Sequence, residues 1–418
     1  MNSSTQFLAE DARGTSRRGF TIVEMMVSCV VLALLLTILL SATNHATSAV
    51  THASGQIEAF SAARAGLDTM TLSLSQATLN SYLDYYDNSG TSRSGYALAH
   101  SGSTQGFVPL RYGRVSDLVF LIRQRGAVGS NSGTGSGQEI YFITPQAYST
   151  HADYQSTQGL LNACGYFIQY GNSGSFSPSL ITTGAGRNRY RLMQALQPTE
   201  TLQIANYLSA QGTNHTGTDP SIWKATPGTG SAGWAESVKA SAIPLADNVI
   251  AMIIWPRLSA SDEAASGAFS QSGAAALSPG SSIGGRAWSG STSGISDFSY
   301  DTQFATLPVA ATNSRWAGGG SVYVQYPWVN QLPPRLQVTL VVIDEASAAR
   351  IESQKNGGPQ ANEEPSVIVN ALAKAPFNMA SKFQTDMDAL TKELANNHIN
   401  YRVLTTTIPL RESKWSAQ

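Results

Sequence analysis

The chain has 418 residues, enough for two or three ordinary domains or for one domain with long insertions. Its 26 Lys and Arg against 27 Asp and Glu give a net charge of -1, which excludes a general electrostatic nucleic-acid binder. Charged residues are only 13% of the chain, so Ser, Thr, Asn, Gln and Gly must solvate the surface, and two cysteines exclude a disulfide-dense scaffold or a four-cysteine zinc site.

Residues 1–19 are polar and carry Arg13, Arg17 and Arg18. From Phe20 to Ala42 the sequence turns apolar, and as a helix it would run about 35 Å, enough to cross a bilayer core of about 30 Å. The basic flank before it predicts a cytoplasmic N-terminus and an extracytoplasmic remainder. The run is longer than the apolar region of a cleaved secretory signal, and a plain signal anchor does not explain Glu24. A carboxylate in such a segment costs about 2.5–3.5 kcal/mol on insertion scales and is normally kept for a named partner. Cys29 lies inside the run and Cys164 far beyond it, so no internal disulfide is expected. Cys164, within Ala163-Cys164-Gly165-Tyr166-Phe167-Ile168, reads as a small core residue.

The segment Arg17-Arg18-Gly19-Phe20-Thr21-Ile22-Val23-Glu24, followed by the apolar run, resembles the class III signal of type IV pilins and type II secretion pseudopilins. The resemblance implies cleavage after Gly19 by a prepilin peptidase and N-methylation of Phe20 by the same enzyme. Chemistry fits each position. Gly19 lacks a Cβ, so its backbone can enter a cramped active site, and cleavage leaves Phe20 with an amine of pKa about 7.7–8.0. Glu24 sits one helical turn away, placed to pair with the Phe20 amine of a neighbouring subunit in a staggered stack. The competing reading has Glu24 merely reach the cytoplasmic interface.

Beyond the span, Ile57, Phe60, Arg64, Leu67, Met70, Leu74 and Ala77 follow at intervals of three or four and predict an amphipathic continuation of one helix over 43–81. After Tyr82 the pattern becomes strand-like. The predicted strands are Asp117 to Arg125, Glu139 to Thr144, Tyr166 to Tyr170, Tyr190 to Leu196, Val249 to Trp255, Leu336 to Ile343 and Tyr401 to Leu410. Further helices are predicted over Glu200 to Gln211 and over Asn378 to Asn397, the latter presenting Phe383, Met387, Leu390 and Leu394 on one face. Gly126 to Gly137 is too Gly and Ser rich to pack, and 259–296 reads as a low-complexity surface loop. The expected fold is α+β. The long N-terminal helix, transmembrane over 20–42 and amphipathic over 43–81, packs on an antiparallel sheet in a head spanning 82–418.

Several head segments sharpen the resemblance. Leu72 to Asn80 with Tyr85-Tyr86, Gly165 to Gly171, Leu245 to Ala251 and Leu332 to Leu340 are similar to the Verru_Chthon cassette protein C family. The Leu332-Pro333-Pro334 run and the closing Thr406-Thr407-Ile408-Pro409-Leu410-Arg411 also resemble J-type minor pseudopilins and W-type minor pilins.

Enzyme chemistry is sparse. Gly228-Thr229-Gly230-Ser231-Ala232-Gly233 fits GxGxxG but follows Pro227 in a loop rather than a strand. No phosphate loop, HExxH or CxxC occurs, and the six histidines are scattered, His45 and His52 sharing a helix face without a further ligand. Asp262-Glu263 and Glu363-Glu364 read as solvated loop charges, although some pseudopilins bind calcium, and the seven tryptophans read as packing residues. No cofactor or metal is expected, and the chain is not expected to be an enzyme. The expectation is a minor pilin-like subunit in the inner membrane with a periplasmic head, partnered by the peptidase and other pilin-like chains. A single-pass membrane-anchored binding or adhesin protein is the alternative.

Overall fold

A computed structural model describes residues 21–87, 91–124, 138–154, 156–172, 187–202, 238, 241–257, 298, 300–302, 308–309, 322–323, 330–353, 364–377 and 380–413. The chain divides into two compact units, Met1–Ser54 and Gly55–Gln418. The division falls inside the first helix, α1 (Ile22–Ser75), whose later turns enter the core of the second unit. Through Val50 every described side chain of the first unit is exposed.

In the second unit, α1 buries Ala63, Leu67, Met70 and Leu74, a spacing of four, three and four that keeps one line of the helix facing inward. Five of the seven residues of the expected stripe, Phe60, Leu67, Met70, Leu74 and Ala77, pack into the core. Leu67, Met70 and Leu74 lie on it and Phe60 packs beside it, but Ile57 and Arg64 face solvent, with Ala63 taking the inward position one residue before Arg64. The helix also stops at Ser75 instead of near Ser81. Bonds from Gln76 N to Ser73 O and Ala77 N to Leu74 O tighten its last turn, and Thr78 N then bonds Ile143 O at 2.9 Å, drawing the chain to a sheet.

Chain order continues with β1 (Tyr82–Tyr86), α2 (Arg93–Ala99), β2 (Arg111–Val115), β3 (Leu121–Gln124), β4 (Gln138–Thr144), β5 (Asn162–Asn172), β6 (Asn188–Gln197), β7 (Ala242–Asp247) and β8 (Val249–Arg257). The short pairs β9 (Tyr300–Asp301), β10 (Pro308–Val309) and β11 (Val322–Tyr323) precede β12 (Arg335–Ile343), α3 (Glu345–Ser353), α4 (Ser366–Ala373), α5 (Phe383–Asn396) and β13 (Tyr401–Pro409). All the pairings are antiparallel. One six-stranded sheet has the order β7-β6-β5-β4-β3-β9, a second has β13-β12-β8, and β1-β2 and β10-β11 form two-stranded ribbons.

The α+β class and each predicted strand are present, with shifted ends. The strand expected from Asp117 begins at Leu121, and the one expected over Tyr166 to Tyr170 extends to Asn162–Asn172. The Glu200 helix appears as a single 3-10 turn, Thr199–Thr201; residues 203–211 lie outside the described residues, as do Gly126 to Gly137 and 259–296. The helix expected from Asn378 begins at Phe383 after a 3-10 turn at Ala380–Lys382, where buried Asp386 accepts a bond from Phe377 N at 3.0 Å. β1, β2, β7, β9, β10, β11, α2, α3 and α4 lie outside the expected elements. In β7, Pro244 disguises a strand; it sits at a sheet edge, where a missing N–H is tolerated.

The two larger sheets share one core. Ile140, Phe142, Tyr166, Ile168 and Leu192 of the first face Ile250, Met252, Val338 and Leu340 of the second, together with the inward line of α1. β4 is buried along its whole length, and its alternate residues Tyr141 and Ile143 enter a second cluster with Val119, Leu121, Phe167 and Met193. The sheets join at one residue. Asn248 adopts φ 63°, a left-handed conformation Asn tolerates, between β7 and β8. Its N–H bonds Tyr190 O at 2.7 Å and its C=O accepts Ile343 N at 2.9 Å, so one turn serves both sheets.

A charged seam ties α3 to β6. Arg189, only 4% exposed, bonds Glu345 at 2.7 Å and Glu352 at 2.5 Å, while Arg187 reaches Glu345 at 3.1 Å. Asp344 caps α3 by accepting Ser347 N at 2.8 Å, and its other oxygen accepts Gln56 Nε2 at 3.1 Å and Asn400 Nδ2 at 3.0 Å.

Candidate functional site at the start of the N-terminal helix

Gly19 and Phe20 lie outside the described residues; the site is built from Thr21 onward. Thr21 precedes the first helical residue and Glu24 stands three positions later, a spacing that lets each side chain serve the other's backbone. Glu24 N donates to Thr21 Oγ1 at 3.3 Å, and Thr21 N donates to Glu24 Oε2 at 3.4 Å. Thr21 Oγ1 also donates to Glu24 Oε2 at 3.5 Å, and Met25 N bonds Thr21 O at 3.1 Å to close the first turn. This reciprocal box folds the Glu24 carboxylate back over the N-terminal end of the helix, where unpaired amides and the helix dipole favour a negative charge. Glu24 thus lies over the N-terminal end of α1. The Thr21-x-x-Glu24 signature was visible in the sequence, but Thr21 as the residue that aims Glu24 was not singled out there.

The rest of the segment is adapted to a solvent without hydrogen-bonding power. Ser28, Thr37, Thr43 and Thr47 each donate to the carbonyl four residues earlier, at 2.7, 2.7, 2.8 and 2.9 Å, so their hydroxyls need no water. Large apolar side chains cover the helix all round, with Val23 69%, Leu32 59% and Leu39 63% exposed. An apolar surface of this extent is covered by lipid or by other helices. Among the described residues α1 is the one helix long and apolar enough to cross a membrane.

Elsewhere, Cys164 is fully buried, and burial pushes its thiol up to about 12 despite bonds from Tyr166 and Gln194 that pull the other way. A thiol held that firmly protonated is a packing residue, not a nucleophile. Among the described residues no cluster of three or more His, Cys, Asp or Glu is placed to hold a metal. His45 lies on the exposed helix surface.

A family model for the prokaryotic N-terminal methylation motif matches residues 14–40. The matched span includes Gly19, Phe20 and Glu24 and ends within the apolar helix. No curated protein and no solved structure matches the chain. The chain therefore carries a prepilin-type methylation signal followed by an apolar helix fit to anchor it in a membrane.

Proposed function

We propose that this protein is a minor pilin-like structural subunit, cut after Gly19, methylated on Phe20 and built into the tip region of a type II secretion pseudopilus or type IV pilus-like filament. The methylation motif at 14–40, leading straight into an unbroken exposed apolar helix, carries the reading. Once the leader is removed, Phe20 carries a cationic amine, and the Glu24 carboxylate is held at the N-terminal end of the helix by Thr21. In lipid, one unpaired carboxylate costs about 2.5–3.5 kcal/mol, so docking against a neighbour that pairs the charges is favoured in one register. The second unit, 364 residues from Gly55 to Gln418, suits a terminal position better than a close-packed shaft. The head lies outside the cytoplasm in this reading, with the basic leader inside.

Two measurements test it. The intact mass of the membrane-extracted chain should correspond to residues 20–418 plus one methyl group; a mass retaining residues 1–19 refutes the proposal. Glu24→Val should leave cleavage unchanged and lower copurification of other pilin-like chains at least tenfold. Unchanged copurification would show that the signal serves insertion alone.

A further inference from the structure

The last strand of the head ends its sheet with an open edge. In the order β13-β12-β8, β13 pairs only with β12 among the described residues. The register, Leu336 opposite Ile408 and Thr339 opposite Thr405, places residues whose numbers sum to 744 face to face. Two flanking bonds follow the same sum: Leu410 N to Pro334 O at 3.1 Å and Asp344 N to Asn400 O at 3.2 Å. Hydrogen-bonded pairs alternate along an antiparallel ladder, so Arg402, Leu404, Thr406 and Ile408 spend their backbone groups on β12. Tyr401, Val403, Thr405 and Thr407 aim their N–H and C=O groups outward, four donors and four acceptors in a row.

Natural edges are usually blunted by inward charges, bulges or early prolines. This one has Pro409 only at its far end and no charged residue from Val403 to Pro409, while Val403, Thr405 and Thr407 favour extended backbone. Thr405 and Thr407 are exposed. Beside the first residue of the strand lies an open cleft of about 540 Å³ lined by Gln56, Phe60, His398, Asn400 and Tyr401. Over Phe60, at 5.7 Å from the ring centre, stands the exposed guanidinium of Arg402, which makes no ion pair among the described residues.

We propose that the outer edge of β13 receives an extended strand of another pilin-like subunit by sheet addition, with a carboxylate of that strand on Arg402 and one side chain in the cleft. Outward amides and carbonyls at strand spacing are matched by a strand, which gives affinity through the backbone and selectivity through the cleft and the charge. A second copy pairing through its own β13 is a poor occupant, since Tyr401–Pro409 holds no acidic residue to meet Arg402. The inference rests on the proposed subunit function for the class of its partner.

The test uses the full chain in its native cells, with photoactivatable benzoylphenylalanine placed singly at Thr405 or Thr407, and at exposed Thr385 on α5 as control. The expected adduct at 405 and 407 is a different chain bearing a prepilin-type signal, at least tenfold above the control position. An adduct with this chain's own residues, with a second copy, or with a protein lacking the signal overturns the inference, as does no adduct from a chain that has lost its leader and copurifies with pilin-like chains. If the leader is retained, the subunit function fails and this inference with it, so the two failures are told apart by the intact mass. Thr407→Pro supplies a second arm. Its N–H points outward, so the β12 ladder stays intact and the thermal transition should not move, while adduct formation from position 405 falls at least tenfold. An unchanged yield from a folded variant overturns the proposal.

Discussion

Gly165 offers a direct measure of how tightly the head is packed. It lies on β5 opposite Tyr141 of β4, and a Cβ added there would stand 2.6 Å from Tyr141 Cδ1 and 2.7 Å from Cε1. Ordinary contact begins near 3.4 Å, so the ring must retreat by most of an ångström. It has little freedom to do so, because Tyr141 is fully buried among Val119, Leu121, Phe167 and Met193 and its hydroxyl donates to buried Glu139 at 3.0 Å. Overpacking of this kind costs about 1–3 kcal/mol, and the loss of glycine's unfolded-state freedom returns about 0.5–1 kcal/mol. Gly165→Ala should therefore destabilise the head by roughly 1–2 kcal/mol, read as a lower denaturant midpoint at unchanged slope in tryptophan fluorescence of the detergent-solubilised chain. The deciding control is the Tyr141→Leu background, where the cost of Gly165→Ala should shrink below about 0.5 kcal/mol. An undiminished cost there would show that the clash with this ring is not the cause.

The seam at α3 predicts acid sensitivity. Burial raises the carboxyls of Glu345 and Glu352, but bonds from Arg189, Asn248 and the Asn188 amide and the nearby guanidinium charges outweigh it and hold both below the ordinary value of 4.5. Asp344 is likewise held below 3.8, where bonds from Ser347, Asn400 and Gln56 overcome burial. A carboxylate with a depressed folded pKa lends stability that is complete above its unfolded value and disappears as pH falls through the folded one, so the loss should begin near pH 4.5 and deepen below it. Arg189→Met should cost about 2 kcal/mol at pH 7, less than a fully buried pair because Glu345 and Glu352 remain about a third exposed, and its deficit should narrow by pH 3. A deficit independent of pH in urea titrations would refute that assignment. Cys164, buried and pushed up to about 12, should resist iodoacetamide at pH 8 until the head unfolds; peptide mapping that finds it alkylated in the native state would contradict the packing.

The anchor and the signal were legible because their information is local. Gly19, Phe20 and Glu24 are fixed by adjacency, the span by composition, and the Thr21–Glu24 box by a spacing of three. The central strands β4, β5, β6, β8, β12 and β13 could likewise be read from short apolar runs with β-branched and aromatic residues. Elements whose stability comes from their neighbours were hidden. Strand β7 contains a proline that only an edge accommodates, and α3, with little apolar face, is held by Arg189 and the Asp344 cap.

The sequence by itself determined that this chain bears a prepilin-type signal, one apolar anchor helix and an α+β head, since each follows from residues close together in the chain. Tertiary structure alone decided which line of α1 faces inward, where Ala63 displaces Arg64 by a single residue's turn. It also decided that Asn248 links two sheets and that β13 lies at an edge with four residues aimed outward. Strand order depends on pairings between residues tens to hundreds of positions apart, as where Thr78 meets Ile143 and Leu336 meets Ile408, and no local pattern encodes which neighbour a strand will find.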